Sequence, residues 1–128
     1  MFIKIPVSVG ELADKITILE IKKIKITDKK KLENVKNELK YLIVILKKNV
    51  VFNSAIKKEV LSLKKINLKL WDIEDSKRKC EKNKKFGPYF IKLARSVYIL
   101  NDKRAEIKFR INSLSGSNIV EVKSYDEY

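Results

Sequence analysis

No histidine occurs anywhere in the sequence, and cysteine occurs once, as Cys80. The first absence removes the commonest general base, every histidine-dependent triad and any Cys/His zinc site. The second excludes an internal disulfide. With no second cysteine and no base near it in sequence, Cys80 reads as a small core residue rather than a nucleophile. Glycine is limited to three residues and proline to two, and neither a phosphate-cradling glycine-rich loop nor a nucleophile elbow is present. No metal-ligand spacing remains, so no cofactor and no metal are expected. No stretch approaches the ~20 consecutive apolar residues that span a membrane. Met1–Val9 has one lysine, one proline and no long apolar run, unlike a secretory signal. The expectation is a cytoplasmic protein. Arginine is scarce as well, four residues against 26 lysines, and three of the four (Arg95, Arg104, Arg110) fall within one short stretch.

What is present is a basic chain of one domain's length, 128 residues, with a formal charge of +14. Its 45% hydrophobic content argues for a folded core despite 36% charged residues. Such a charge draws a protein towards nucleic acid, anionic lipid or acidic partners. Lysine, isoleucine and asparagine are over-used together, as in A/T-rich genomes. That bias suits a free-living marine bacterium with a small genome, or its phage.

Apolar periodicity predicts an all-α fold of four helices, about 8–26, 28–48, 54–82 and 88–115, within a single domain spanning 1–128. Ser8-Val9-Gly10-Glu11 has the form of a capping box, with Ser8 taking an amide and Glu11 reaching back. Leu12, Ile16 and Leu19 then share one helical face. Asp28 caps the second helix, Asn53 or Ser54 the third, and Gly87-Pro88 opens the fourth. Gly116 suits a helix C-cap. The short connection between the first two helices implies an antiparallel pair. Phe2–Ile5 and Ile119–Lys123 alternate like strands, which suggests a small two-stranded β patch joining the termini.

If helices three and four turn back across Asn83–Gly87, Cys80 lies opposite Phe90, and facing numbers sum to 170. Leu63–Ile107, Leu70–Leu100, Ile73–Val97 and Ile56–Leu114 then all meet apolar on apolar, an antiparallel coiled-coil seam. The same register sets Asp75 beside Arg95 and places Trp71 on the flank of the seam. Arg104 breaks the apolar stripe. An arginine there either reaches solvent past a gap in the bundle or meets a carboxylate of a neighbouring helix; the second is expected, with Glu20 as first choice and Asp14 as second.

The candidate site is a polar constellation: Asp14, Lys15, Thr17 and Glu20 on helix one, Asp75 on helix three, and Arg95, Tyr98, Asn101, Asp102, Arg104, Lys108 and Asn112 on helix four. One reading is an inter-helix network that decides which helix pairs with which. The other is a pocket for a small anionic metabolite, bound by Arg95, Arg104 and Lys108. Asp72 and Asp75 form a carboxylate pair, but on a helix face without a cleft they suit solvent better than acid–base catalysis.

The segments IPVSVGELADKITILEIK, LWDIED, FGPYFIKLARSVYILNDKRAEIKFRIN and VEVKSY resemble a family of short bacterial proteins known as a domain of unknown function. That resemblance implies a helical fold and no activity. GELADKITILEIKKIKI also resembles the opening helix of the chorismate mutases. Those enzymes need arginines in that helix, and this chain has none before Arg78. The expected function is therefore a non-enzymatic helical interaction or assembly module, with a homodimer or another protein as partner. Weak, lysine-driven nucleic-acid binding is the alternative, and a small helical enzyme or binder of an anionic metabolite is the second.

Overall fold

The computed structural model describes residues 1–119 and 121–128. Four helices account for most of it: α1 Val9–Lys25, α2 Lys29–Asn49, α3 Ser54–Lys82 and α4 Pro88–Ser115. Each of the first three starts at a side-chain cap. Ser8 Oγ accepts from Glu11 N at 3.0 Å, Asp28 Oδ1 from Lys31 N at 2.9 Å, and Asn53 Oδ1 from Ile56 N at 2.9 Å. Such a cap contributes about 1 kcal/mol by pairing an amide the helix itself leaves open. Pro88 begins α4 where its missing N–H costs nothing, and Gly116 ends it in the left-handed conformation at φ 68°.

The helices pack around α1. It touches α2, α3 and α4, whereas α2 touches α1 alone. The architecture is thus layered, with α2 on one side of α1 and the α3–α4 hairpin on the other. Two cores result. Between α1 and α2, Ile16 and Leu19 meet Val35, Leu39 and Leu46, and Val50 and Phe52 of the following connection cover the end. Between α1 and the hairpin, Ala13 meets Leu63, Ile107 and Ile111. Full burial of an isoleucine or leucine stabilises by about 1.5–3 kcal/mol, so both cores hold α1 in the middle. Of the expected seam pairs, Leu63–Ile107 is found in the core, whereas Leu114, expected against the buried Ile56, is 47% exposed. Glu59 pairs with Arg110 at 3.1 Å, one position off the expected register. Cys80 is buried near the turn.

The β patch is not found: no strand occurs among the described residues. Val120, in the middle of the predicted tail strand, lies outside them. The physical reason is that the two segments are held by different helices, with α1 between. The N-terminal arm lies on α2, where Phe2 stacks on Tyr41 with centroids 5.2 Å apart. The tail returns along α4, from Glu121 beside Lys108 to Tyr128 beside Tyr98.

Candidate functional site

One face of α1 is unlike the other. Gly10, Ala13, Asp14 and Thr17 are all buried there, and their small size lets α4 approach closely. A Cβ on Gly10 would stand 2.6 Å from the Lys108 carbonyl oxygen and 2.9 Å from Asn112 Oδ1. That contact has a use. The first amides of α1 find partners at the far end of α4, as Gly10 N donates to Asn112 Oδ1 at 2.6 Å and Val9 N to Ser117 Oγ at 3.2 Å. Together with the Ser8 cap, these satisfy donors that a buried helix start would otherwise leave open. Asn112 Nδ2 is buried without a partner among the described residues.

Further along the same face stands Asp14, 1% exposed. The Arg104 guanidinium grips it with two prongs: Nε donates to Oδ1 at 2.9 Å and Nη2 donates to Oδ2. Asn67 Nδ2 donates to Asp14 Oδ1 and to Thr17 Oγ1, each at 2.9 Å, and Thr17 Oγ1 donates to the Asp14 carbonyl at 2.8 Å. Arg104 Nη1 also donates to Asn101 Oδ1 at 3.4 Å. The hydrogen bond to Asp14 raises the arginine pKa, outweighing the burial that opposes it. Arg104 therefore pairs with the second-choice acid. Glu20 instead meets Lys64 of α3 at 2.5 Å, because it leaves α1 towards α3 rather than α4.

One turn on, Lys108 is 6% exposed and bridges two acids, Glu11 Oε2 at 2.7 Å and Glu121 Oε2 at 2.8 Å. Burial is the largest influence on its amine and acts to lower the pKa. The hydrogen bonds to Glu11 and Glu121, with the nearby Asp14 charge, carry it above the usual lysine value. Its hydrogen bond in turn lowers the Glu121 pKa. The capping box is accordingly half used: Ser8 caps, but the Glu11 carboxylate serves Lys108, since a buried ammonium needs a counter-charge more than an amide needs a second acceptor.

The remaining predicted residues do not join this centre. Lys15 turns towards α2 and pairs with Glu38 at 3.2 Å. Asp75 and Arg95 are both exposed and form no ion pair with each other; at a solvated surface such a pair gains little. Tyr98 and Asp102 face the returning tail. The Tyr128 hydroxyl donates to Asp102 Oδ2 at 2.5 Å, which pushes the phenol pKa up to about 12, and its ring meets Tyr98 edge-on at 5.2 Å. An open groove of about 590 Å³ lies between tail and α4, lined by Tyr98, Asn101, Arg104, Lys123, Tyr125 and Tyr128 among others. Trp71 is half-buried and lines a groove with Ile18 and Ile21 of α1. Sequence reasoning missed Asn67, Gly10 and Glu121. Only the register offered a signal for the first, since Asn67 adjoins Ile66, the position facing Arg104.

Comparison with known proteins gives the family. Residues 3–128 match the model of a family of unknown function (DUF6165), and the chain belongs to that family. No curated protein and no solved structure matches the chain.

Proposed function

We propose that this member of the family is a non-enzymatic assembly module, and that its first partner is a second copy of itself. The observation that supports it is the closed polar centre. Both Asp14 oxygens are taken up by Arg104 and Asn67, and Lys108 is held between two acids. A clamp for an anionic metabolite would need those cations free, and an acid–base catalyst would need a carboxylate oxygen open to substrate. The centre instead specifies how α1 sits on the hairpin. Among the charged residues that face outward stand three apolar ones: Leu61 and Leu68, seven residues apart on α3, and Phe109, level with Leu61 on α4, are 62%, 41% and 56% exposed. Exposed apolar surface of this kind marks interfaces, and a two-fold dimer is the commonest way for one chain to cover it.

Light scattering at micromolar concentration tests the reading. Twice the chain mass of 15.0 kDa is expected, reverting to a single copy in Leu61→Ser/Phe109→Ser. A single-chain mass for the unaltered protein would reject self-association. A thermal-shift screen of anionic metabolites is expected to leave the melting temperature unchanged, and a saturable rise would reopen the ligand reading, because a specific ligand stabilises the fold by mass action.

A further inference from the structure

The positive charge is not spread evenly. Between Ser76 and Arg95, the end of the α3–α4 hairpin, eight lysines and arginines stand against one acid, Glu81. Twenty residues thus carry half of the chain's formal charge of +14. No hydrogen bond or ion pair among the described residues ties this end to α1 or α2. Residues 81–89 are all exposed, so the tip stands open to solvent. Among its cations stand apolar side chains that the fold does not cover: Phe86, Tyr89 and Ile91 are 47%, 62% and 54% exposed. Phe86 is also fixed in orientation by an edge-on contact with Phe90 at 5.3 Å. Behind the turn, Lys79, Lys85 and Tyr89 line an open crevice of about 490 Å³, large enough to admit a phosphate group.

We infer that the hairpin tip docks on an anionic lipid surface. Two features occur together here, and a lipid interface uses both. Lysines and arginines are attracted by the negative surface potential of acidic headgroups. Exposed aromatic and aliphatic side chains gain by entering the boundary between headgroups and acyl chains, while the lysine stems lie along that boundary with their amines in water. Duplex nucleic acid would use the cations and leave Ile91 and Phe86 facing water. A tip open to solvent also meets a flat surface more readily than a recessed site does. The contact holds whether the chain is one copy or two, since Leu61, Leu68 and Phe109 lie outside the tip.

Co-sedimentation of the full chain with vesicles tests this, comparing pure phosphatidylcholine with phosphatidylcholine containing phosphatidylserine. Binding is expected on the second alone. Lys82→Glu/Lys85→Glu should weaken it by about a hundredfold or more, since two charges are reversed next to the surface, a net change of four units. Phe86→Ser/Ile91→Ser should weaken it about tenfold at unchanged charge. The comparison variant Lys30→Glu/Lys47→Glu makes the same change on α2 and should alter binding by no more than about twofold. All six positions are exposed, and circular dichroism of each variant is the check that it folds. The idea is overturned if phosphatidylserine vesicles leave the protein in the supernatant, or if the α2 variant loses as much as the tip variant. It is overturned equally if Phe86→Ser/Ile91→Ser binds unchanged. Single-stranded nucleic acid that holds the tip at salt concentrations releasing it from vesicles would assign the site to that ligand instead.

Discussion

The two faces of α1 solve the same problem by different physics. Towards α2 the contact is Ile16 and Leu19 against Val35, Leu39 and Leu46, with no polar group at its centre. Towards the hairpin it is Gly10, Asp14 and Thr17 against Asn67, Arg104, Lys108 and Asn112, with a small apolar cluster beneath. Apolar contact rewards area and is tolerant of direction. A two-pronged arginine–carboxylate pair tolerates neither a shifted register nor a rotated helix. The first face attaches α2. The second, on the function proposed above, sets which residues of α1 meet which residues of the hairpin.

The sharpest way to break this contrast is Arg104→Ala. It leaves Asp14 charged, buried and short of its guanidinium, and should lower the unfolding free energy by roughly 3–5 kcal/mol. Arg104→Lys should recover only part, for it keeps the charge without the planar fork. Urea unfolding at unchanged m-value measures both. A loss under about 1 kcal/mol for the alanine variant would mean that the polar face specifies nothing.

Gly10→Ala sharpens the comparison from the side of packing. Alanine favours a helix by itself, yet its Cβ would meet backbone oxygen of Lys108 at 2.6 Å. The helices must move apart, at a cost of about 1–3 kcal/mol, seen as a fall in melting temperature. Stabilisation by this substitution would show the crossing to be looser than a 2.6 Å approach allows.

On the other face, Ile16→Val should cost only ~0.5–1.5 kcal/mol, with α2 still docked by amide exchange protection. Should this conservative change release α2, the apolar face would be the more exacting of the two.

The smallest effect expected is that of pH on the tail. Glu121 has its pKa lowered, so its contribution is complete above the ordinary carboxylate value of 4.5 and fades as pH falls through the lowered one. Lys108 has its pKa raised, so its contribution is complete below 10.5 and fades as pH rises past the raised value. Between those limits the tail should stay docked. Glu121 is largely solvated, which keeps the change under about 1 kcal/mol. Amide NMR shifts of residues 121–128 on acidification report it, and a flat titration would show that Lys108 is held by Glu11 alone.

Most of the secondary structure was legible before any tertiary information, because helices are governed locally. Ser8, Asp28 and Asn53 cap amides three residues away, and Gly116 adopts a backbone that glycine accepts freely. The middle of the hairpin seam was legible too: Leu63 and Ile107 share a core as the register places them, while Leu114 near the helix end is exposed. The expectation that Arg104 meets an acid rather than solvent was also drawn from the sequence, from a charge interrupting an apolar stripe. What only the tertiary structure decided is the identity of that acid. Asp14 and Glu20 sit six residues apart on α1, about 240° around a helix of 3.6 residues per turn, so they leave it in different directions. Local sequence cannot say which direction faces α4. The crossing of α1 over the hairpin, allowed by the missing side chain at Gly10, turns Asp14 to Arg104 and Glu20 to Lys64. The same crossing places α1 between the two chain ends, so their alternating segments lie on separate helices and form no ladder among the described residues.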